Sequence, residues 1–172
     1  YAGFGKQEYF ENDKLVVRRT GDFILAAVDF GRFYFSNNMF ICLPKKDSPI
    51  KLEYALAHLN SKINTWYYRV IQPRKGKLFA ELKINVLKKL PLKLAMESNQ
   101  KPIVTLVNDI ISMKKSGNQS DTTPIEAELD ARVAHLYNLT EEEYSLILKE
   151  TNSPDPFRVA ALNVYRDIAR EK

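Results

Sequence analysis

The sequence has few of the residues from which catalytic and metal sites are built. Cys42 is the one cysteine among 172 residues, so an internal disulfide and a cysteine-based metal cluster are both excluded. His58 and His135 each lie alone on a predicted helix without a second ligand at helical spacing, which favours structural roles. Gly3-Phe4-Gly5 lacks the flanking strand and helix that a cofactor loop requires. We therefore predict no catalytic residue, no metal site and no bound cofactor in this chain.

Long apolar runs are also missing. No stretch approaches the roughly 18 uninterrupted apolar residues of a membrane span, so we expect no membrane partner. The chain starts at Tyr1 without a charged and then apolar leader, and we expect it to be a fragment of a longer polypeptide that carries no secretion signal. With a single cysteine, the composition suits a reducing compartment, and we expect a cytoplasmic location.

The net charge of +5 is divided unevenly along the chain. Residues 1–93 hold 17 Lys and Arg against 8 Asp and Glu, a net +9, whereas residues 94–172 hold 9 against 13, a net −4. A basic surface with many aromatics is what a polyanion such as DNA selects, because each neutralised phosphate releases counterions. Solvated lysines on an ordinary surface would give the same charge, so both interpretations stay open.

Residues 54–91 combine three kinds of local pattern. Apolar residues recur at spacings of three and four from Leu52 to Val70, which predicts one amphipathic helix. Pro73 ends this helix, and Gly76 permits a sharp turn among basic residues. Residues 83–90 are typical of a strand closed by Pro91.

Short strands are predicted before this helix. Residues 14–19 and 23–29 favour a hairpin around Thr20-Gly21-Asp22, and residues 33–35 and 40–43 favour further strands. Residues 1–12 show no clear period and predict little regular structure. The fold class predicted for the first half is α+β, a mixed sheet with a central packed helix.

The second half is predicted to be helical. Apolar spacing indicates a helix over residues 103–115, and Thr123-Pro124-Ile125-Glu126 is typical of a capping box that starts another. Thr140 to Glu143 repeats the box, and a last helix begins near Asp155. We predict a domain over residues 1–93 and a helical segment, as a bundle or hairpins, over residues 94–172.

Several motifs occur in a recognisable order. KLVVRRTGD at 14–22 is followed by LNSK at 59–62, the pair Tyr67-Tyr68, a basic glycine turn, LFAELK and LKKLPL, and then IEAELDARVAHLYNLTEEEY at 125–144. This order resembles the target recognition domain of type IIG restriction-modification enzymes and related N6-adenine DNA methyltransferases, the TaqI-like C-terminal specificity domain. It is similar, more loosely, to the specificity subunits of type I systems.

The resemblance implies a sequence-specific module for double-stranded DNA. It implies a separate methyltransferase domain, in the same chain or complex, that uses S-adenosylmethionine, and a parent enzyme in which Mg²⁺ serves any nuclease domain. The Pro-Pro motif of that methyltransferase half is missing, since none of the 8 prolines here precedes another. The fragment is therefore expected to be inactive by itself. The resemblance also implies that Asn60 and Ser61 bind or cap neighbouring backbone.

Eight polar residues are the candidates for DNA contact. They are Arg18, Arg19, Asn37, Asn38, Arg69, Arg74, Lys75 and Lys77. Neighbouring strand residues face opposite ways, so at most one of Arg18 and Arg19 faces the inside of the sheet. The glycine turn lets backbone approach phosphate closely, and Arg69 lies one helical turn before it, although a solvated turn is an equal alternative. Asn37 and Asn38 could read adenine edges, but Asn-Asn is first of all a turn former.

Two rival functions remain open at this point. Glu81-Leu82-Lys83 has the Glu-x-Lys form of metal-dependent nucleases, with Asp22 or Asp29 as the possible second carboxylate. Such tripeptides are common by chance, and a plain strand edge is the favoured interpretation. The other rival is a protein-interaction scaffold, in which the basic half binds an acidic partner and the helices oligomerise.

Overall fold

The computed structural model describes residues 6–73, 81–117 and 120–170. The strands in these ranges are β1 (Lys14–Arg18), β2 (Ala26–Asp29) and β3 (Met39–Cys42). The helices are α1 (Glu8–Glu11), α2 (Leu52–Asn60), α3 (Lys62–Ile71), α4 (Ile84–Leu87), α5 (Glu97–Lys115), α6 (Thr123–Leu136), α7 (Glu141–Glu150) and α8 (Asp155–Arg170). The predicted class, α+β followed by a helical segment, is confirmed.

The sheet has β1 at its centre, between β2 and β3. Both pairings are antiparallel, whereas a mixed sheet was predicted. Because side chains alternate along a strand, Leu15 and Val17 lie on one face, and this inner face packs with α2 in the apolar core. Lys14, Val16 and Arg18 lie on the outer face.

The outer face holds a buried ion pair. Lys14 Nζ lies 2.6 Å from Asp29 Oδ2, and the two side chains are 0% and 3% exposed. Nζ also donates to the Phe10 carbonyl at 2.6 Å, while Asp29 accepts from the N–H groups of Gly31 at 2.7 Å and Phe33 at 3.0 Å. Burial alone would raise the pKa of Asp29, but these hydrogen bonds and the Lys14 charge lower it below its usual value. The pair therefore fixes the turn after β2 and the N-terminal segment to β1.

The single helix predicted across residues 52–70 is wrong, because Ser61 interrupts it. Ser61 is extended, with φ −64° and ψ 152°, and its Oγ caps α3 by accepting from the Asn64 N–H at 3.1 Å. The Asn60 side chain binds the backbone of Ala26 twice, accepting from its N–H at 2.8 Å and donating to its carbonyl at 3.0 Å. Asn60 and Ser61 thus bind and cap backbone, as the resemblance implied. We call residues 60–62 the corner.

Lys62 joins the corner to the helical segment. Its backbone N–H donates to Asp130 Oδ1 at 2.7 Å, and Asp130 Oδ2 accepts from the Tyr144 hydroxyl at 2.7 Å. Asp130 is buried, and this burial raises its pKa although both hydrogen bonds oppose the shift. One carboxyl group therefore ties the start of α3 to α6 and α7.

Only one of the two predicted capping boxes forms. Thr140 starts α7 by accepting from the Glu143 N–H at 3.2 Å, while Glu143 accepts from the Thr140 N–H at 2.8 Å. The box predicted at Thr123 is wrong. The N-cap of α6 is Thr122, which makes no side-chain cap bond, and the Thr123 N–H donates to Asp121 Oδ1 at 2.9 Å.

Three further local predictions are wrong. Residues 83–90 form no strand: Ile84–Leu87 is α4, and Glu81 makes an isolated antiparallel bridge with Thr20. Ile84, Leu87 and Leu90 recur at helical spacing, which competes with the alternation that favoured a strand. Residues 33–35 are not a strand, since they lie in the crossing between β2 and β3, and residues 8–11 are helical.

One apolar cluster extends through the described residues from β1 to α8. It includes Leu15 of the sheet, Tyr54 of α2, Ile103 of α5 and Tyr165 of α8. The boundary proposed between residues 93 and 94 stays a prediction. None of the helices in the described part of the chain combines the length and apolar composition that a membrane crossing requires.

We predict that removing one partner of the Lys14–Asp29 pair lowers the stability of the fold by more than the pair as a whole contributes to it. Asp29→Asn and Lys14→Met should each lower the free energy of unfolding by about 3–5 kcal/mol, because each leaves a buried charge unpaired. Urea unfolding of both and of the double variant measures this, and a double loss equal to the sum of the single losses would contradict it. Since the folded pKa of Asp29 lies below its usual 3.8, this stabilisation is present above that pH and is lost as the pH falls through the folded value.

A second prediction concerns the carboxyl group of Asp130. Asp130→Ala should lower the free energy of unfolding by about 2–4 kcal/mol, because the Lys62 N–H and the Tyr144 hydroxyl lose their acceptor in a buried site. Asp130→Asn can keep both bonds, its Oδ1 accepting from Lys62 and its Nδ2 donating to the Tyr144 oxygen.

The pH dependence of stability distinguishes the effect of the Asp130 charge from the effect of its hydrogen bonds. Burial raises the folded pKa of Asp130 above the usual 3.8. Its contribution to the free energy of unfolding is therefore complete below pH 3.8 and is lost as the pH rises through the folded pKa. Asp130→Asn lacks this loss. Urea unfolding between about pH 4 and pH 8 should therefore favour the Asn variant increasingly with pH, and parallel profiles would refute the idea.

Candidate nucleic-acid interface

Five of the eight candidate residues lie at one end of the sheet. Arg18 ends β1 opposite the first residue of β3, and the Arg19 N–H donates to the Asn38 carbonyl at 2.9 Å. From the last turn of α3, Arg69 Nε reaches the hairpin turn and donates to the Asp22 carbonyl at 3.3 Å. We call this surface the arginine end. Its candidates are Arg18, Arg19, Asn37, Asn38 and Arg69.

Arg18 is held within the hairpin turn. Its guanidinium carbon lies 4.9 Å from the ring centroid of Phe23, and its Nε is buried without a hydrogen-bond partner among the described residues. Gly21 has a φ of +146°, and a Cβ at this position would lie 2.5 Å from Arg18 Nη2. The turn can therefore close over the arginine because glycine occupies position 21.

Arg19 reaches solvent with its charge already paired. Its side chain is 41% exposed, and Nε donates to Glu81 Oε1 at 2.5 Å. Nη1 donates to the Asn37 carbonyl at 3.2 Å, and the guanidinium carbon lies 5.8 Å from the ring centroid of Phe40. The side chain is thus oriented by a carboxylate, a carbonyl and an aromatic ring.

Asn37 and Asn38 form the turn that leads into β3. The Met39 N–H donates to the Ser36 carbonyl at 3.3 Å, and Ser36 Oγ donates to Asn38 Oδ1 at 2.6 Å. Both asparagines are exposed. Their interpretation as turn formers is confirmed, and a contact with adenine stays a prediction.

Arg69 links the hairpin turn to the helical segment. Besides its bond to the Asp22 carbonyl, its Nη2 lies 3.9 Å from Asp22 Oδ2, and its Nη1 donates to the Glu150 carbonyl at 3.3 Å. A contact between Arg69 and DNA would compete with these interactions. DNA binding by Arg69 stays a prediction.

The three basic candidates of the glycine turn, Arg74, Lys75 and Lys77, lie outside the described residues. The described residues on either side of them are close to the arginine end. On one side α3 ends at Ile71, two residues after Arg69, and on the other side Glu81 bridges Thr20.

The carboxylates of the nuclease alternative are committed to other partners. Glu81 pairs with Arg19, Asp22 lies near Arg69, and Asp29 is buried against Lys14 on the outer face. In residues 6–73, 81–117 and 120–170, no three His, Cys, Asp or Glu side chains are grouped so that they could hold a metal ion. The geometry therefore favours structural roles for these acids.

Both histidines contact aromatic rings and backbone. His58 is fully buried, its Nδ1 lies 3.0 Å from the Tyr54 carbonyl, and burial lowers its pKa, which favours the neutral imidazole. His135 stacks on Tyr165 at 4.0 Å between ring centroids, and its Nε2 lies 2.8 Å from the Tyr165 carbonyl. These aromatic and backbone contacts agree with the structural roles expected of the histidines. At Cys42, burial raises the pKa of the thiol.

Glu81 is the residue of this surface whose role the sequence did not reveal. The Glu-x-Lys pattern suggests a metal ligand, whereas the Glu81 carboxylate binds an arginine 62 positions earlier in the chain. A single sequence carries no local signal for such a distant pair, because neither residue type nor spacing marks it.

Comparison with known proteins relates the chain to one family of domains. No curated protein matches the chain. The family model of the TaqI-like C-terminal specificity domain matches residues 2–92, which include the sheet, the corner and all eight candidate residues. Domains of this kind are the DNA-recognition modules of restriction-modification enzymes. The chain belongs to the family of TaqI-like C-terminal specificity domains.

Proposed function

We propose that the chain recognises a specific sequence in double-stranded DNA for an enzyme that methylates adenine at N6. It would hold the duplex against a separate methyltransferase domain of the same chain or complex. The observation that carries this proposal is the gathering of five candidate residues at the arginine end, in a chain whose residues 2–92 match a specificity domain.

The work would be divided between the domains. This chain would bind and orient DNA and would contribute no catalytic residue. Chemistry on a base requires that the base leave the stack, and the methyltransferase domain would extrude the adenine and supply S-adenosylmethionine. Where the parent enzyme also cleaves DNA, Mg²⁺ would serve its nuclease domain.

Phosphates and bases would be contacted by different residues. Arg18, Arg19 and Arg69 are held by neighbouring rings, carboxylates or carbonyls, so their positions are fixed. Arg74, Lys75 and Lys77 are the candidates for phosphate contact, since they stand together in the basic part of the sequence. We propose that these three residues, which we call the basic turn, supply affinity and that the arginine end orients the DNA.

The helical segment would support the module and dock it on a neighbouring domain or subunit. Residues 94–172 carry a net charge of −4, which disfavours contact with DNA. Asp130 ties α6 to the corner, and Arg69 ties the hairpin turn to the end of α7, so the segment is joined firmly to the DNA-recognition part.

A protein-interaction scaffold is the second candidate function. The separation of the basic residues 1–93 from the acidic residues 94–172 favours it, because the basic half would attract an acidic partner. The scaffold predicts no salt-sensitive affinity for DNA, so one measurement distinguishes the two functions.

We predict that the chain binds labelled duplex DNA with an affinity that falls steeply as salt increases. The variant Arg74→Ala, Lys75→Ala, Lys77→Ala should reduce the slope of log affinity against log salt by about 2.7, because each lost phosphate contact removes about 0.9. Fluorescence anisotropy across a salt series measures both slopes.

A matched variant controls for net charge alone. Lys101→Ala, Lys115→Ala, Lys149→Ala removes three exposed positive charges from the helical segment and should leave the slope unchanged. Equal losses of slope in the two variants would contradict a role for the basic turn. No binding even at low salt would favour the scaffold instead.

A further inference from the structure

We infer that Arg19 reads a guanine in the major groove and that Glu81 is the positioning residue that orients it. This inference rests on the proposed DNA-recognition function. It assigns a preference for one base to one side chain at the arginine end. The family match identifies neither the base nor the residue that reads it.

The N–H donors of the Arg19 guanidinium are only partly used by the protein. Arginine has five N–H groups in a fixed plane. The Nε–H group is taken by Glu81, and one N–H of Nη1 is taken by the Asn37 carbonyl. No described residue accepts from Nη2. Within the described residues, both N–H groups of Nη2 and the second N–H of Nη1 are therefore left for DNA, on a side chain that is 41% exposed.

Two parallel donors select one base edge in the major groove. Guanine presents two neighbouring acceptors, N7 and O6, whereas adenine presents an acceptor beside a donor. Thymine presents the single acceptor O4, and cytosine presents a donor. Because arginine has no acceptor, guanine is the base that satisfies both open N–H groups at once.

The Glu81 carboxylate makes Arg19 better suited to a base than to a phosphate. Pairing with Glu81 neutralises much of the guanidinium charge, which weakens its attraction to the phosphate backbone. The hydrogen-bond geometry remains, and the contacts with Asn37 and Phe40 hold the side chain before DNA binds. A base contact made by an oriented side chain loses little conformational entropy on binding.

The neighbouring arginines do not offer the same edge. Arg18 lies over Phe23 with Nε buried. Arg69 engages all three nitrogens, because Nε and Nη1 donate to backbone carbonyls and Nη2 lies 3.9 Å from Asp22 Oδ2. Arg19 is therefore the arginine of this surface that combines exposure, fixed orientation and an open pair of donors.

The test is the selection of preferred duplexes from a random library by the full 172-residue chain, followed by base substitution. We expect the selected site to contain a guanine whose replacement by 7-deazaguanine, which lacks the N7 acceptor, weakens binding about tenfold. Arg19→Lys keeps the charge but loses the paired donors. It should abolish this tenfold effect and change the affinity for unselected DNA by less than about twofold.

The role of Glu81 is tested by the discrimination between guanine and 7-deazaguanine rather than by overall affinity for DNA. Glu81→Ala should lose the 7-deazaguanine effect while its affinity for unselected DNA rises, because an acidic charge has been removed. Glu81→Gln keeps an acceptor for Arg19 Nε and should keep the effect. The melting temperature of each variant is compared with its binding, since a purely structural Glu81 would lower stability and all DNA binding together.

A matched pair in the helical segment serves as the control. Arg166 binds Glu141 through Nε at 2.9 Å and through Nη2 at 2.6 Å, and Arg166→Lys should leave base discrimination intact. Salt-sensitive binding with no guanine effect, or with an effect that Arg19→Lys retains, would overturn the inference and leave the proposed function standing. The absence of duplex binding at any salt concentration would overturn both.

Discussion

The corner between α2 and α3 is the constraint on which the rest of the structure depends. Three consecutive residues bind three different parts of the chain: Asn60 binds the backbone of β2, Ser61 caps α3, and the Lys62 N–H binds Asp130 of α6. Each bond satisfies a polar group that would otherwise be costly to bury at the break between two helices. The sheet, the central helices and the helical segment are positioned relative to one another by these few bonds.

The arginine end inherits its geometry from this arrangement. The corner sets where α3 begins, and α3 carries Arg69 to the hairpin turn. Arg18, Arg19 and Arg69 each contact a ring, a carboxylate or a carbonyl, so their orientations are fixed in the absence of DNA. Such a surface suits recognition by hydrogen-bond geometry more than attraction by net charge, and in our proposal Arg74, Lys75 and Lys77 provide the attraction.

Local patterns predicted much of the fold. The adjacent β-branched residues Val16 and Val17 identified β1, and the Thr140 box identified the start of α7. The failures have physical causes that lie outside the local pattern. Residues 83–90 satisfy both strand and helix periods, and the stretch is helical at Ile84–Leu87, with Val86, Leu87 and Leu90 packed against the core. The break at Ser61 was hidden because apolar spacing continues across it, while bonds to β2 and α6 make the corner favourable.

The sequence by itself determined the α+β class and the division of charge, and it named the candidate residues for DNA contact, because composition and periodicity are local properties. Tertiary structure decided which of those residues meet and how each is held. Glu81 lies 62 positions from Arg19, and Asp130 lies 68 positions from Lys62. Contacts over such distances follow from the packing of whole elements, which no short window of sequence contains.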